Sequence, residues 1–381
     1  MLKFAPLIIM PVKRISIEEF LLLSHNLPVF DVRSPGEYSQ AQIPGAHSLP
    51  LFNDEERKVV GTAYKQQGKQ KAIKFGLDFF GVKMRSIVEV VEKIAGNLQV
   101  TDDTQLANKS KEDGSEANTQ PANEKLPVLV HCWRGGMRSA AVAWLLDLYG
   151  YEVYTLEGGY KAYRNWVLSQ FERDYQFKIL GGYTGSGKTI ILHALQHKNE
   201  TVVDLEKIAN HKGSAFGGIG QGDQPTQEMF ENMLAADLHQ KQKATIWLED
   251  ESQRIGKLHI PHALWQNMRN KPIYFVDIPF VERLHYIVEE YGKCDKDQLA
   301  LSIERIQKRL GPLETKTALA HLKGGEIEAC FSILLQYYDK HYGKALQNRE
   351  NIDSLLNKIP CSTVDSTTNA EKLVVCNTAN I

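Results

Sequence analysis

Two short segments of this chain place reactive groups at spacings that can do chemistry. The first is His131-Cys132-Trp133-Arg134-Gly135-Gly136-Met137-Arg138-Ser139. Val128 to His131 reads as a buried strand and Ser139 to Leu148 as a helix ending at Gly150, so Cys132 to Arg138 is a strand-to-helix loop. Such a loop turns unpaired backbone N–H groups and the positive end of a helix dipole toward one point, which lowers a thiol's pKa and holds an oxyanion. Gly135 and Gly136 permit tight curvature, while Arg134 and Arg138 add positive charge. An arbitrary free cysteine is more often inert packing, but this context makes Cys132 a nucleophile. Arg138 is its expected catalytic partner, and Trp133, Arg134, Gly135, Gly136 and Met137 form the expected oxyanion loop.

The second segment is Gly182-Tyr183-Thr184-Gly185-Ser186-Gly187-Lys188-Thr189, which follows the short strand Phe177 to Leu180 and leads into a helix from Ile190 to His197. This is G-x-x-x-x-G-K-T in its strand-loop-helix setting, the P-loop. Successive amides cradle a di- or triphosphate, Lys188 reaches the outer oxygens, and the Thr189 hydroxyl can meet Mg²⁺. Gly182, Gly185, Gly187, Lys188 and Thr189 are the expected phosphate-binding residues. Thr201 to Asp204 reads as the next strand, with Asp204 at its carboxyl end, where ligands of open α/β sheets bind. Ala244 to Glu251 reads as another. Its acids include candidate metal ligands, Glu249 and Asp250 foremost with Glu251 beside them, and solvated loop acids are an equally good reading. The Gly-rich stretch His211 to Gly222 fits either a mobile loop over the phosphates or a surface linker.

The elements that must position these groups are α/β throughout. From Val29 onward, short β-branched runs alternate with amphipathic stretches, the pattern of parallel sheets flanked by helices. At 381 residues, two domains are expected, 1–173 and 174–381, with the join between Phe171 and Gln176. Ser362 to Asp365 and Ala370 to Leu373 would supply a last strand and helix. Residues Thr101 to Lys125 are polar and nearly free of large apolar side chains, so they read as a disordered insertion in the first domain. Lysines and arginines number 45 against 46 acids, so no global field draws the protein to nucleic acid or membrane. RNA binding must then be local. Lys65, Lys69, Lys71 and Lys74, flanked by Tyr64 and Phe75, are one candidate patch, with a plain solvated helix face the commoner alternative. Arg254, Lys257, Arg283, Arg305, Lys308 and Arg309 are similarly ambiguous. Five scattered cysteines, with no C-x-x-C pair, fit reduced thiols in a cytoplasm. The apolar start is broken by Pro6 and Pro11 and reads as an N-terminal extension, not an export signal. No stretch approaches the roughly 20 apolar residues of a spanning helix.

Val29-Phe30-Asp31-Val32-Arg33, then Glu37-Tyr38, Ile43-Pro44-Gly45-Ala46 and Glu157-Gly158-Gly159-Tyr160 resemble the rhodanese family, with Gln42 where many members have His. The spacing from Cys132 to Arg138-Ser139 also resembles the Cys-x5-Arg loop of cysteine-dependent phosphatases. Phosphate esters and selenophosphate suit that larger loop equally. A rhodanese-like domain carrying Trp133 to Ser139, fused to a P-loop NTPase-like domain, resembles the tRNA 2-selenouridine synthase family over nearly the whole chain. The resemblance implies a transferase that converts wobble 2-thiouridine in tRNA to 2-selenouridine, with selenophosphate as donor and an S-geranyl intermediate made from geranyl diphosphate. It implies Cys132 as an S-selanylcysteine intermediate and leaves the P-loop open to geranyl diphosphate or a nucleotide. No tightly bound cofactor is expected, Mg²⁺ could accompany the diphosphate, and a cytoplasmic monomer is expected. The rival readings are a rhodanese-fold cysteine phosphatase, or a sulfurtransferase with a regulatory P-loop domain.

Overall fold

The computed structural model describes residues 12–97 and 125–378. Apart from Lys125, the polar insertion expected at 101–125 lies outside the described residues, as does the apolar start. The chain divides into two compact units, Met1–Val167 and Leu168–Ile381. The division falls within the helix Gly159–Gln170, short of the expected join. Buried Tyr160, Tyr163 and Val167 bind most of that helix into the first unit's core.

In the first unit, β1 (Lys13–Ile15), β2 (Val29–Asp31), β3 (His47–Ser48), β4 (Val128–His131) and β5 (Val153–Leu156) form one sheet in the order β1-β5-β4-β2-β3. Every neighbouring pair is parallel. Central β4 is buried at all four positions, as a strand covered on both faces must be. Phe30, Val130, Val142, Leu146 and Val153 belong to the core that fixes its carboxyl end. The following helix runs Met137–Leu148 and turns Val142, Ala143, Leu145 and Leu146 inward. The lysine run lies on the helices Asp54–Gln67 and Lys69–Gly81, with all four lysines exposed.

The second unit repeats the parallel plan with β6 (Phe177–Gly181), β7 (Thr201–Val202), β8 (Ile246–Glu249), β11 (Ile273–Asp277) and β12 (Leu356–Pro360), in the order β12-β11-β6-β8-β7. A small antiparallel hairpin joins β9 (Arg254–Ile255) to β10 (Leu258–His259). The last strand lies ahead of the segment the sequence suggested. Ser362 to Asp365 instead turns the chain into the helix Ser366–Thr378, whose Thr368 amide donates to Asp365 Oδ1 at 2.7 Å. After β11, and before the one-turn helix Ile352–Leu355 that leads into β12, stand four longer helices, Phe280–Tyr291, Lys296–Leu310, Pro312–Gly324 and Ile327–Gln347. They share their own apolar core, which includes Leu284, Ile303, Phe331 and Leu334.

Candidate functional sites

The end of β4 delivers Cys132 into its loop almost completely buried, at 3% exposure. Its Sγ lies 3.2 Å from Ser139 Oγ and accepts the Gly136 amide at 3.3 Å. Burial alone would raise the thiol's pKa, but the Ser139 hydroxyl and the amides of Ser139, Arg134 and Gly136 together outweigh it, so the pKa is lowered. The carbonyls of Cys132 and Trp133 accept the amides of Tyr160 and Lys161 at 2.8 and 3.0 Å, at the start of the next helix. Amides face the sulfur, while the side chains of Trp133, Arg134 and Met137 are exposed.

Arg138 is committed elsewhere. Its guanidinium grips Glu37, Nη1 to Oε2 at 2.6 Å and Nη2 to Oε1 at 3.3 Å. Glu37 also accepts the Ser34 amide at 3.0 Å, and Arg57 approaches it at 3.8 Å. Burial opposes ionisation of Glu37, but Arg138, Ser34 and Arg57 prevail and hold its pKa below the usual range. Glu37 therefore fixes where Arg138 points and offsets part of its charge, a role sequence reading did not assign. The Asp-x-Arg signature is likewise an internal pair. Arg33 Nη2 meets Asp31 Oδ2 at 2.6 Å with both side chains essentially inaccessible, Arg33 also donates to the Ala41 carbonyl at 2.7 Å, and its guanidinium lies 3.7 Å from the Tyr160 ring centre. His131, wholly buried beside this pair, has its pKa driven down to about 4, chiefly by burial, and stays neutral.

The lowered Cys132 pKa gives a measurable expectation. Alkylation of Cys132 by iodoacetamide, followed by mass spectrometry of its peptide, should reach its plateau at a lower pH than a free thiol, whose ordinary pKa is about 8.5. Ser139→Ala should move the profile upward, because the thiolate loses its hydroxyl donor while burial still penalises its charge.

In the second unit the P-loop follows β6. Gly187 caps the helix Lys188–His197 in the left-handed region at φ 68°, where a Cβ would also meet Val364 at 2.8 Å. Lys188 Nζ rests on the Gly182 carbonyl at 3.2 Å. The loop is braced by buried Arg283, which donates to the Thr184 carbonyl at 3.0 Å and pairs with Asp339 at 2.9 and 2.7 Å. Arg283 is thus a brace and not one of the surface cations the sequence left open. Gly182 N–H donates to Tyr342 Oη at 3.3 Å, and that hydroxyl donates to Asp250 Oδ2 at 2.6 Å.

Asp250 is also paired with buried Arg349, so this metal candidate is occupied as an anchor of the helical insertion. Glu249 is fully buried, with Oε2 accepting the Leu205 amide at 3.1 Å and its pKa raised, first by burial and then by Asp204 and Glu206. Asp204 caps the helix Leu205–Ala209 and pairs with His193 at 2.9 Å. The carboxylates that face the P-loop are Glu206 and Glu251. Thr189 Oγ1 donates to Glu206 Oε2 at 2.6 Å. Burial, with Glu206 next, raises Glu251 to about 8, so at neutral pH it is mostly protonated and hydrogen-bonded to Glu206. Sequence reading missed Glu206 because it lies outside any strand-end motif. Among the described residues, no group of three His, Cys, Asp or Glu is arranged to hold a metal ion.

Thr184 to Ile190, Glu206, Asp250 and Glu251 line a cavity of about 610 Å³. The helical insertion adds apolar and aromatic side chains to the lining, Ile287, Tyr291, Phe331, Leu334, Leu335 and Leu346, with the polar Glu290, Arg309 and His341 among them. The Gly-rich segment forms part of the wall, pinned by Phe216, which is 3% exposed and packs against Tyr291 and Phe331. That anchoring distinguishes it from the surface linker the sequence allowed.

Comparison with known proteins agrees with this division. A family model described as the rhodanese-like domain matches residues 84–165, and one described as the tRNA 2-selenouridine synthase AAA domain matches residues 175–357. The tRNA 2-selenouridine synthase of Sulfurovum sp. (strain NBC37-1) is 33% identical over 84% of this chain and 89% of its own length. Those of Hydrogenovibrio crunogenus and Bdellovibrio bacteriovorus are each 32% identical, over 85% and 86% of this chain and 91% of their own lengths.

Proposed function

Because the chain belongs to the tRNA 2-selenouridine synthase family, we propose that it converts wobble 2-thiouridine in tRNA to 2-selenouridine, with geranyl diphosphate and selenophosphate as co-substrates. The observation that carries the geranyl step is the mixed lining of the cavity: the P-loop with Lys188 beside the apolar and aromatic side chains of the helical insertion. A prenyl diphosphate has the same mixed character, an anionic head and a branched hydrocarbon tail. The uridine sulfur attacks C1 of the geranyl group, the C–O bond breaks, and its electron pair leaves with diphosphate. The P-loop amides and Lys188 stabilise that charge. A divalent cation travelling with the diphosphate would meet the protein at Thr189 and Glu206.

Selenium enters through Cys132. In the selanyl route, the thiolate attacks selenium, the S–Se bond forms, and the Se–P pair leaves with phosphorus as phosphite. Selenium then displaces the geranylthiolate from C2 of the uridine; one cellular thiol attacks Sγ, releasing the selenouridine and leaving a mixed disulfide, and a second thiol frees Cys132 as the two thiols form a disulfide. A second reading is favoured by the amides of Arg134, Gly136 and Ser139 that face Sγ. There Sγ attacks phosphorus and selenide departs as the nucleophile that displaces the geranylthiolate. Water then releases phosphate from the sulfur, with no redox partner required.

Titration of the full-length protein with geranyl diphosphate and with ATP tests the cavity assignment. Lys188→Ala should weaken geranyl diphosphate binding about tenfold or more, the loss of one charge-assisted contact. If only ATP binding depends on Lys188, the geranyl assignment fails. The reactions fit a cytoplasmic enzyme acting on free tRNA, and no described helix is long and apolar enough to cross a membrane.

A further inference from the structure

At the rim of the diphosphate cavity, cations and aromatic rings are gathered on two helices. Tyr337 and His341, one turn apart on the helix Ile327–Gln347, hold their ring centres 4.5 Å apart. Tyr337 in turn lies edge-on to Tyr338, a residue of the cavity wall, with centroids 5.2 Å apart. Arg309, near the end of the helix Lys296–Leu310, hydrogen-bonds to Tyr337, and both Arg309 and His341 border the cavity. Lys340 and Lys344 flank His341, and both are exposed. The carboxylate next to them in sequence, Asp339, is turned away and committed to Arg283. Burial, followed by the charges of Lys344, Arg309 and Lys340, lowers the pKa of His341.

We propose that this rim is a docking site for single-stranded RNA, with the Tyr337–His341 pair stacking a nucleobase while Arg309, Lys340 and Lys344 hold the flanking phosphates. The inference rests on the tRNA reading above and adds the surface that reading lacks. Sequence-tolerant stacking on aromatic faces, framed by cations that follow the backbone, is how single strands are commonly held. A protein whose charges sum to −1 has no general attraction for RNA, so a local concentration of unpaired cations is needed. The placement also has a chemical use. A base stacked at the rim projects its neighbour toward the cavity in which a prenyl group would wait.

The test measures equilibrium binding of 2-thiouridine-containing tRNA to the full-length protein at several salt concentrations, beside binding of inorganic diphosphate. The double variant Lys340→Ala/Lys344→Ala should bind tRNA about tenfold more weakly, and its dependence on log salt should flatten by about 1.4, roughly 0.7 for each lost phosphate contact. Tyr337→Ala should lose about tenfold in tRNA affinity while Tyr337→Phe retains it. Diphosphate binding should be unchanged in all three. Equal tRNA affinity in variant and wild type overturns the rim assignment and leaves the tRNA reading intact. Parallel loss of diphosphate and tRNA binding overturns it too, since the residues would then act through the cavity. Failure of the wild type to bind tRNA overturns the tRNA reading and this inference together.

Discussion

Cys132→Ser will yield geranylated tRNA but no selenouridine, with selenium incorporation reduced on the order of 10³-fold or more. The size of the effect follows from the loop. Its amides are arranged around one sulfur, and the Ser139 hydroxyl and backbone donors depress that thiol's pKa against the penalty of burial. Serine places a far weaker nucleophile in the same cradle. Geranylation should persist, because every group assigned to it belongs to the second unit. The measurement is mass spectrometry of nucleosides from thiolated tRNA incubated with both co-substrates. Phosphorus NMR of the wild-type reaction adds a second readout. Phosphite identifies attack on selenium, whereas phosphate identifies attack on phosphorus with release of selenide. Normal selenation by Cys132→Ser would remove the cysteine from the mechanism altogether.

Asp31→Asn should destabilise the first unit by about 3–5 kcal/mol, the usual cost of leaving one partner of a buried ion pair uncompensated. Asp31 and Arg33 are 0% and 1% exposed, so solvent cannot substitute for the lost charge. Asparagine preserves shape and an acceptor for the Arg33 amide, which now bonds Asp31 Oδ1 at 3.0 Å. It leaves the guanidinium stacked on Tyr160 without a counter-ion. A fall of roughly 10 °C in the first thermal transition is expected for a unit of this size. A shift within 2 °C of wild type would show that the Ala41 carbonyl and the Tyr160 ring suffice for Arg33. Such a result would make the Asp-x-Arg signature dispensable for folding.

Both reactive loops were legible because they are local: a strand, a turn with glycines at fixed offsets, and a helix carry the whole instruction in about a dozen residues. Their partners were not. Glu37 holds Arg138 from 101 residues away, and Glu206 meets Thr189 only after β7 has brought the chain back beside β8. The distinction between Asp250 and Glu251 depended on Tyr342, in the last long helix of the insertion, and on Arg349 just past it. That insertion also supplies apolar side chains to the cavity, and its amphipathic helices announce burial without naming what they face. The last strand was misplaced for a different reason. β12 is an edge strand with mixed burial and a terminal proline, so it lacks the continuous apolar run of the interior strands. Ser362-Thr363-Val364-Asp365 has stronger β-forming residues but no neighbour to pair with.

The loop around Cys132 also depends on a segment that follows β5. A side chain at Gly159 would drive its Cβ into the Cys132 carbonyl and the Gly135 amide, and within 2.9 Å of the Arg134 amide, while Gly159 itself adopts φ 60°. Backbone therefore packs directly on backbone there, and the curvature of the loop is moulded from outside as much as by its own glycines. The heptapeptide from Cys132 to Arg138 is consequently not a portable cassette. Transplanted between another strand and helix without the Gly158-Gly159-Tyr160 buttress, it would keep its residues and lose its shape. A chimera seeking this reactivity must carry both stretches together.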